Sequence, residues 1–189
     1  KSIINQIREQ NFEVLPLPGS VSGLNMNDPG DSNSPRHAPW LGTDWRMDAK
    51  QTCQVLEKYN INIDWLIVDH YGIDARWERS MRRLCSKLMV IDDLADRTHD
   101  CDVLVDPGCE AGLDEKYRML TPKHCLLLVG PQNAILRDEF VKARSEMGPR
   151  NDLQVPSNVV VGFGGRDKDD STLEALDAIR QTAPEGTTV

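Results

Sequence analysis

The stretch WLIVDHYGID at positions 65–74 decides the fold class of this chain. Its first four residues are continuously apolar, which is typical of a parallel strand whose two faces are both covered. Polar residues follow at once, and the same change recurs in LMVIDDLADR at positions 88–97. Ligands bind at the carboxyl ends of strands in open α/β sheets, so these polar residues are the first candidates for a site. The candidates are Asp69, His70, Tyr71, Asp92 and Asp93.

The rest of the chain alternates short apolar runs with helical patterns. This alternation predicts the α/β class, with a Rossmann-like parallel sheet flanked by helices on both faces. Asp74 is well placed as the N-cap of the helix after the first quoted strand. The other expected strands lie at 11–15, 103–105, 126–129 and 158–163, and the expected helices at 48–59, 74–85, 115–119, 138–147 and 171–183.

Two domains are predicted from the order of these elements and from changes in composition. Residues 1–149 form an N-terminal α/β domain, and 150–157 form a linker that contains Pro, Asn and Asp. Residues 158–189 open a second Rossmann-like domain. The chain begins within a helical pattern and ends where a strand would start, so we expect a fragment. A surface loop rich in Pro, Gly, Asn, Asp and Ser is expected at 18–45.

The overall charge narrows the classes of partner. The chain carries 22 Lys and Arg against 30 Asp and Glu, a formal net charge of −8, which argues against a nucleic-acid backbone as the main partner. No apolar run approaches the ~20 residues of a membrane span, so no membrane is expected as a partner. The 5 cysteines are odd in number and include no C-x-x-C pair. Reduced thiols in a cytoplasmic protein are the simplest interpretation.

The strand-end residues suit acid/base chemistry, but each also has a structural alternative. Carboxylates such as Asp92 and Asp93 can act as general acids or bases, and an imidazole such as that of His70 suits proton transfer. The alternative for a carboxylate is to cap a helix or to pair with Arg97. The alternative for His70 is to pack at the sheet edge and donate to a carbonyl. Adjacent Asp92 and Asp93 are expected to point in different directions.

A glycine pair and a set of histidines and cysteines are further candidates for sites. Gly164 and Gly165 lie between an expected strand and an expected helix, where backbone N–H groups can approach a phosphate. The pair fits neither the dinucleotide nor the Walker fingerprint, so a purely packing role stays open. No metal is expected, because the histidines and cysteines match no zinc spacing. The residues concerned are His99, Cys101, Cys109, His124 and Cys125.

Several motifs together resemble a family of nucleotide-sugar hydrolases. These are the UDP-2,4-diacetamido-2,4,6-trideoxy-β-L-altropyranose hydrolases of pseudaminic acid biosynthesis, which are similar to spore coat polysaccharide biosynthesis proteins. FGGRD at 163–167 resembles that family's FGGSD turn, with Arg166 where a small residue is usual. The other motifs are VDHYGID at 68–74, Trp77-Glu78, VIDDLADR at 90–97, HDCDVLVD at 99–106 and GPQNAILRDEF at 130–140.

The resemblance implies a fold and a reaction. The fold is the two-domain GT-B type, and the enzyme needs no metal or cofactor. Water attacks the anomeric carbon of the UDP-sugar, and UDP leaves. The family's general base is a His in a glycine-rich loop after the first strand. That loop has no match in this sequence, so the resemblance implies that the first strand and helix of the N-terminal domain lie before Lys1. The 189-residue chain alone is therefore expected to be inactive.

The resemblance also assigns roles to individual residues. Tyr71 contacts the sugar or the attacking water, and Asp69 and His70 support the loop that carries it. These three are the predicted catalytic residues. Gly164, Gly165 and Asp167 line the diphosphate side of the cleft, and Arg166 reaches a phosphate or points to solvent; these four are the predicted substrate-binding residues.

Two other functional classes remain compatible with the sequence. A GT-B glycosyltransferase shares the fold but passes the sugar to an acceptor, and dependence on an acceptor would identify it. A non-catalytic nucleotide-sugar-binding module would lack the histidine base. Fold alone does not separate these classes from a hydrolase of nonulosonic acid biosynthesis.

Overall fold

The computed structural model describes residues 3–18, 34–59, 62–148, 158–163, 170–183 and 187–188. The chain divides into two compact units, Lys1–Ile135 and Leu136–Val189. The division falls upstream of the linker predicted at 150–157, and that linker lies outside the described residues.

The first unit is built around a four-stranded sheet in which every neighbouring pair of strands is parallel. The strands follow one another across the sheet in the order β1-β2-β3-β4. This architecture confirms the predicted α/β class with a Rossmann-like parallel sheet. The elements are α1 (Ile3–Glu9), α2 (Trp45–Lys58), β1 (Ile63–Val68), α3 (Ala75–Met81), β2 (Cys85–Ile91), β3 (Val103–Asp106), α4 (Leu113–Leu120) and β4 (Leu126–Val129), with 3₁₀ helices at Ala38–Leu41 and Pro131–Asn133.

One face of the sheet forms the hydrophobic core with helices α2, α3 and α4. The strand register places Leu88 beside Leu66 and Val90 beside Val68, and Val90 also lies beside Leu104 on the next strand. The helices contribute buried side chains to the same core, and the indole of Trp77 donates to buried Asp48 over 2.7 Å. The helix residues in the core are Ala49, Cys53, Trp77, Met81, Leu113 and Tyr117.

The opposite face of the sheet is partly exposed within the described part of the chain, although Val105 on that face is buried. Trp65, Ile67 and Leu126 point to that face and are each more than half exposed. The expectation of helices on both faces is therefore not met by these residues. The reason is topological: β1–α3–β2 and β3–α4–β4 advance across the sheet in the same direction. Right-handed crossovers that advance in one direction put their helices on one face.

Helix α3 begins where the sequence predicts and ends earlier. Asp74 is its N-cap, and the carboxylate accepts from the Arg76 N–H over 2.9 Å, which confirms the predicted cap. The helix ends at Met81 and not at Cys85. Cys85 instead begins β2, where it pairs with Ile63 of β1. Sheet pairing thus overrides the helical pattern over the last residues.

Two predicted strands are not formed in the described residues. Residues 12–18 have no regular structure, and the segment 158–163 makes only an isolated parallel bridge from Asn158 to Thr188. Both segments have the composition of a strand, but a strand also needs a hydrogen-bonded neighbour. The second unit contains α5 (Asp138–Glu146) and α6 (Ser171–Thr182), close to the helices predicted there.

Candidate functional site

Two loops meet at the carboxyl edge of the sheet, one after β1 and one after β2. The side chain of Arg97 donates to the Ile73 carbonyl over 2.7 Å, and the Ala75 N–H donates to the Thr98 carbonyl over 2.9 Å. These bonds tie the loop that carries Tyr71 to the loop that follows β2. The candidates from both quoted stretches therefore share one edge of the sheet.

Tyr71 is a partly buried phenol surrounded by carboxylates. Hydrogen bonding to the Asp93 carboxylate, burial and the charges of Asp93, Asp92 and Asp69 together raise the pKa of Tyr71 to about 12. The phenol consequently keeps its proton at neutral pH. Tyr71 can orient a ligand through its hydroxyl, but it is not a base.

His70 shapes the turn that carries Tyr71. Its Nδ1 accepts a hydrogen bond from the Gly72 N–H over 3.0 Å, so the proton of a neutral ring lies on Nε2. The turn is closely packed: a Cβ added to Gly72 would lie 3.0 Å from the His37 carbonyl oxygen and 3.0 Å from Cε1 of His70. Nδ1 of His70 therefore accepts a hydrogen bond from a backbone amide. The packing role considered from the sequence was instead a donation from His70 to a carbonyl.

Asp69 and Asp93 face solvent on the same edge. Asp69 is the first residue after β1, and Asp93 is the second after β2. Both carboxylates are exposed and contribute to the raised pKa of Tyr71. Asp69, His70 and Tyr71, the three predicted catalytic residues, thus lie together with Asp93.

Two aromatic residues that sequence reasoning missed lie against Tyr71. The ring centroid of His37 is 5.8 Å from that of Tyr71, and the ring centroid of Trp40 is 5.9 Å away. His37 is the N-cap of the 3₁₀ helix Ala38–Leu41 and Trp40 lies within that helix, in the region expected to be a loop. A tryptophan in a stretch rich in Pro, Gly and Asn was the one available signal.

Asp92 is fully buried, in contrast to its neighbour Asp93. Its Oδ1 lies 2.7 Å from the guanidinium of Arg97, and its Oδ2 accepts from the Ala95 N–H over 3.0 Å. Burial alone would raise the pKa of Asp92. The positive charge of Arg97, the Ala95 N–H and contributions from His99 and Tyr117 outweigh burial and lower the pKa. Asp92 is therefore a stable buried anion.

Tyr117 links buried Asp92 to Asp106, the last residue of β3. Its hydroxyl lies 2.9 Å from Oδ2 of Asp92 and 2.9 Å from Oδ2 of Asp106, and all three side chains are buried. Burial, with the neighbouring carboxylates, raises the pKa of Tyr117 well above its ordinary value. The Asp106 Oδ1 accepts from the Gly108 N–H over 2.6 Å, which fixes the start of the loop after β3.

His99 and Glu78 are the last two members of the group of buried polar side chains around Asp92. Nδ1 of His99 lies 2.7 Å from Oε1 of Glu78, and Nε2 lies 3.9 Å from Oδ2 of Asp92. The second oxygen of Glu78 accepts from the Asp100 N–H. We call this set the buried network; its members are Glu78, Asp92, Arg97, His99, Asp106 and Tyr117.

A surface cavity of about 580 Å³ lies farther along the edge, beside the loops after β3 and β4. Its lining includes the carboxylates of Glu110, Asp114 and Glu115 and the exposed thiol of Cys109. Three carboxylates create a negative potential, which disfavours a phosphate at this position.

The other residues singled out from the sequence are those assigned to phosphate binding and those considered as metal ligands. Gly164, Gly165, Arg166 and Asp167 lie outside the described residues. Within the described part, no group of three or more His, Cys, Asp or Glu residues could hold a metal ion. Cys101 is buried, as expected for a small core residue, and its sulfur is 3.5 Å from that of Cys125. All 5 cysteines are free.

No helix in the described part of the chain is long and apolar enough to cross a membrane.

Comparison with curated proteins finds one archaeal sequence. Over 121 residues the chain is 29% identical to "Uncharacterized protein MJ1062" of Methanocaldococcus jannaschii. The match covers 64% of this chain and 25% of the archaeal protein, so the chain spans about a quarter of the length of that relative. No family model matches the chain.

Proposed function

We propose that the protein hydrolyses a UDP-linked 2,4-diacetamido-2,4,6-trideoxyhexose to the free sugar and UDP, a step of pseudaminic acid biosynthesis in the cytoplasm. Motifs that resemble those of the hydrolase family support the proposal. The observation that supports it structurally is that Asp69, Tyr71 and Asp93 follow β1 and β2 on two joined loops at the carboxyl edge of a parallel sheet. That edge is where α/β proteins bind nucleotides and their conjugates.

The proposed reaction exchanges one carbon–oxygen bond for another. The oxygen of water forms a bond to the anomeric carbon, and the bond from that carbon to the diphosphate breaks. The electron pair of the broken bond leaves with UDP, and the proton of water passes to a base. By resemblance that base is a histidine in a glycine-rich loop, which this sequence does not contain.

Tyr71 has an orienting role in this proposal. A phenol that donates to Asp93 can still accept a hydrogen bond through its oxygen lone pairs. Tyr71 accepts from the attacking water or from a sugar hydroxyl, and Asp93 fixes the direction of the phenolic proton. This role agrees with a pKa of about 12, because the phenol stays neutral throughout the reaction.

The diphosphate is assigned to the FGGRD turn at 163–167. Backbone N–H groups of Gly164 and Gly165 would stabilise the negative charge of the departing UDP, as would the guanidinium of Arg166. By the same resemblance, Asp167 is assigned to the diphosphate side of the cleft. This assignment supplies charge stabilisation from the protein, so the proposed reaction uses no metal and no cofactor.

The test is UDP release by the full-length protein from UDP-2,4-diacetamido-2,4,6-trideoxy-β-L-altrose, with no acceptor present. The expected result is UDP and free sugar in equal amounts, with the substrate alone and UDP-N-acetylglucosamine as controls. UDP release that requires an added acceptor would replace the proposal with a glycosyltransferase. Binding of UDP without any release would replace it with a non-catalytic module.

A further inference from the structure

Three aromatic rings lie together beside the proposed site. We call them the aromatic corner: His37, Trp40 and Tyr71. The centroids of His37 and Trp40 are 4.6 Å apart, and both lie within 6 Å of Tyr71. The planes of Trp40 and Tyr71 meet at 59°. Tilted arrangements are the ones that neighbouring aromatic rings favour, so the three rings form a packed cluster.

Backbone contacts hold the aromatic corner in place. The Trp40 N–H donates to the His37 carbonyl over 2.9 Å, and Gly42 ends the 3₁₀ helix with a φ of 74°. The His37 carbonyl packs against Gly72, in the turn next to Tyr71. Leu41, the residue after Trp40, packs on the core. The rings are therefore positioned before a ligand arrives, which lowers the entropy cost of binding.

Trp40 is largely exposed, in contrast to Trp77 in the core. Its side chain is 65% exposed, whereas Trp77 is buried and hydrogen-bonded to Asp48. The exposed carboxylates of Asp69 and Asp93 lie on the same edge. An apolar ring face beside hydrogen-bond acceptors is the combination typical of a small-molecule site.

The charges indicate which part of a nucleotide sugar fits here. Asp69, Asp92 and Asp93 all act electrostatically on Tyr71, so the potential at the aromatic corner is negative. That potential repels a diphosphate. A hexose carries no net charge. Its C–H groups are slightly positive and favour the negative face of an indole. Its hydroxyl groups and the N–H groups of its acetamido substituents can donate hydrogen bonds to carboxylates.

We propose that the aromatic corner is the sugar subsite and that Trp40 stacks on the hexose ring. The proposal rests on the proposed function and names a residue, Trp40, that the motif resemblance does not assign. The deoxy carbon and the acetamido methyl groups enlarge the apolar surface that the indole covers. His37 supports the indole, and Tyr71 closes the other side of the corner.

Kinetics of three tryptophan variants test the proposal. Trp40→Ala is expected to raise KM at least about tenfold with kcat within about threefold of wild type, whereas Trp40→Phe keeps most of the affinity. Trp65→Phe is the matched control, because Trp65 is also about half exposed but lies on the open face of the sheet. A KM for Trp40→Ala within twofold of wild type, in a variant with unchanged Tm, would overturn the proposal.

A binding measurement separates failure of this proposal from failure of the proposed function. The free 2,4-diacetamido-2,4,6-trideoxyhexose is titrated while the fluorescence difference between wild type and Trp40→Phe is recorded. A change with the sugar and none with UDP supports the sugar subsite, even if wild type releases no UDP. A change with UDP alone assigns the corner to the uracil ring and contradicts the proposal. No change with either ligand also contradicts it.

Discussion

Asp92 and Asp93 are adjacent in sequence, yet they belong to two regions of opposite character. Asp93 lies on the exposed edge with Tyr71, and Asp92 lies in the buried network with Arg97 and Tyr117. Successive residues of an extended chain point in opposite directions, so one motif supplies both regions. Within VIDDLADR at 90–97, Asp92 therefore belongs to a buried scaffold, and Asp93 belongs to the edge where we propose the site.

The largest expected effect comes from breaking the buried network. Arg97→Ala leaves Asp92 as a buried charge without its cation, which costs about 3–5 kcal/mol of stability. For a chain of this size the expected loss of Tm is about 6–20 °C in a calorimetric scan.

The matched control is Arg83→Ala, since Arg83 pairs with Glu57 on the surface. Its Tm should stay within a degree or two of wild type, because exposed pairs contribute little. Equal losses for Arg97→Ala and Arg83→Ala would show that burial does not distinguish the two regions.

A smaller effect, confined to activity, is expected on the exposed edge. Tyr71→Phe removes the hydroxyl that contacts Asp93 and should reduce turnover of the full-length protein at least about tenfold, or roughly 1.4 kcal/mol. Its unfolding midpoint in urea should match wild type, because the phenol is only partly buried. Wild-type turnover in this variant would reduce Tyr71 to a packing residue.

The smallest expected effect is on how the free energy of unfolding changes at low pH, and it comes from Asp102. Burial raises the pKa of Asp102, but the Leu88 N–H, Arg82 and Lys87 outweigh burial and lower it to about 2. An unfolded Asp titrates near ~3.9, so the carboxylate stabilises the fold above about pH 4. That contribution is lost as the pH falls from about 4 to about 2.

Urea unfolding at several pH values checks this dependence. Asp102→Asn should flatten the decline of stability between about pH 4 and pH 2, leaving the part that Asp92 contributes through its own lowered pKa. An unchanged decline in Asp102→Asn would assign the whole acid sensitivity to the buried network.

Local sequence signals predicted the sheet and one edge of it. The apolar runs located β1 and β2, and Asp74 was identified as a helix cap because that signal depends on adjacent residues. The opposite directions of Asp92 and Asp93 were also predictable, since they follow from the pleat of a strand.

Contacts between distant segments were not predictable from these signals. Trp40 meets Tyr71 only because the 3₁₀ helix packs on the turn at Gly72. Tyr117 bridges Asp92 and Asp106 across two strands, and nothing in the pattern of α4 marks that hydroxyl. The exposed sheet face depends on strand order, which periodicity does not encode.

The most direct measurement is UDP release per folded molecule in Asp93→Asn and Asp92→Asn variants of the full-length protein, with Tm recorded for each. For Asp93→Asn we expect at least about tenfold less turnover, roughly 1.4 kcal/mol, at an unchanged Tm. For Asp92→Asn we expect a clearly lower Tm, with turnover per folded molecule close to wild type. The reverse pattern, or equal effects of the two variants on both quantities, would contradict the division of this edge into a site and a scaffold.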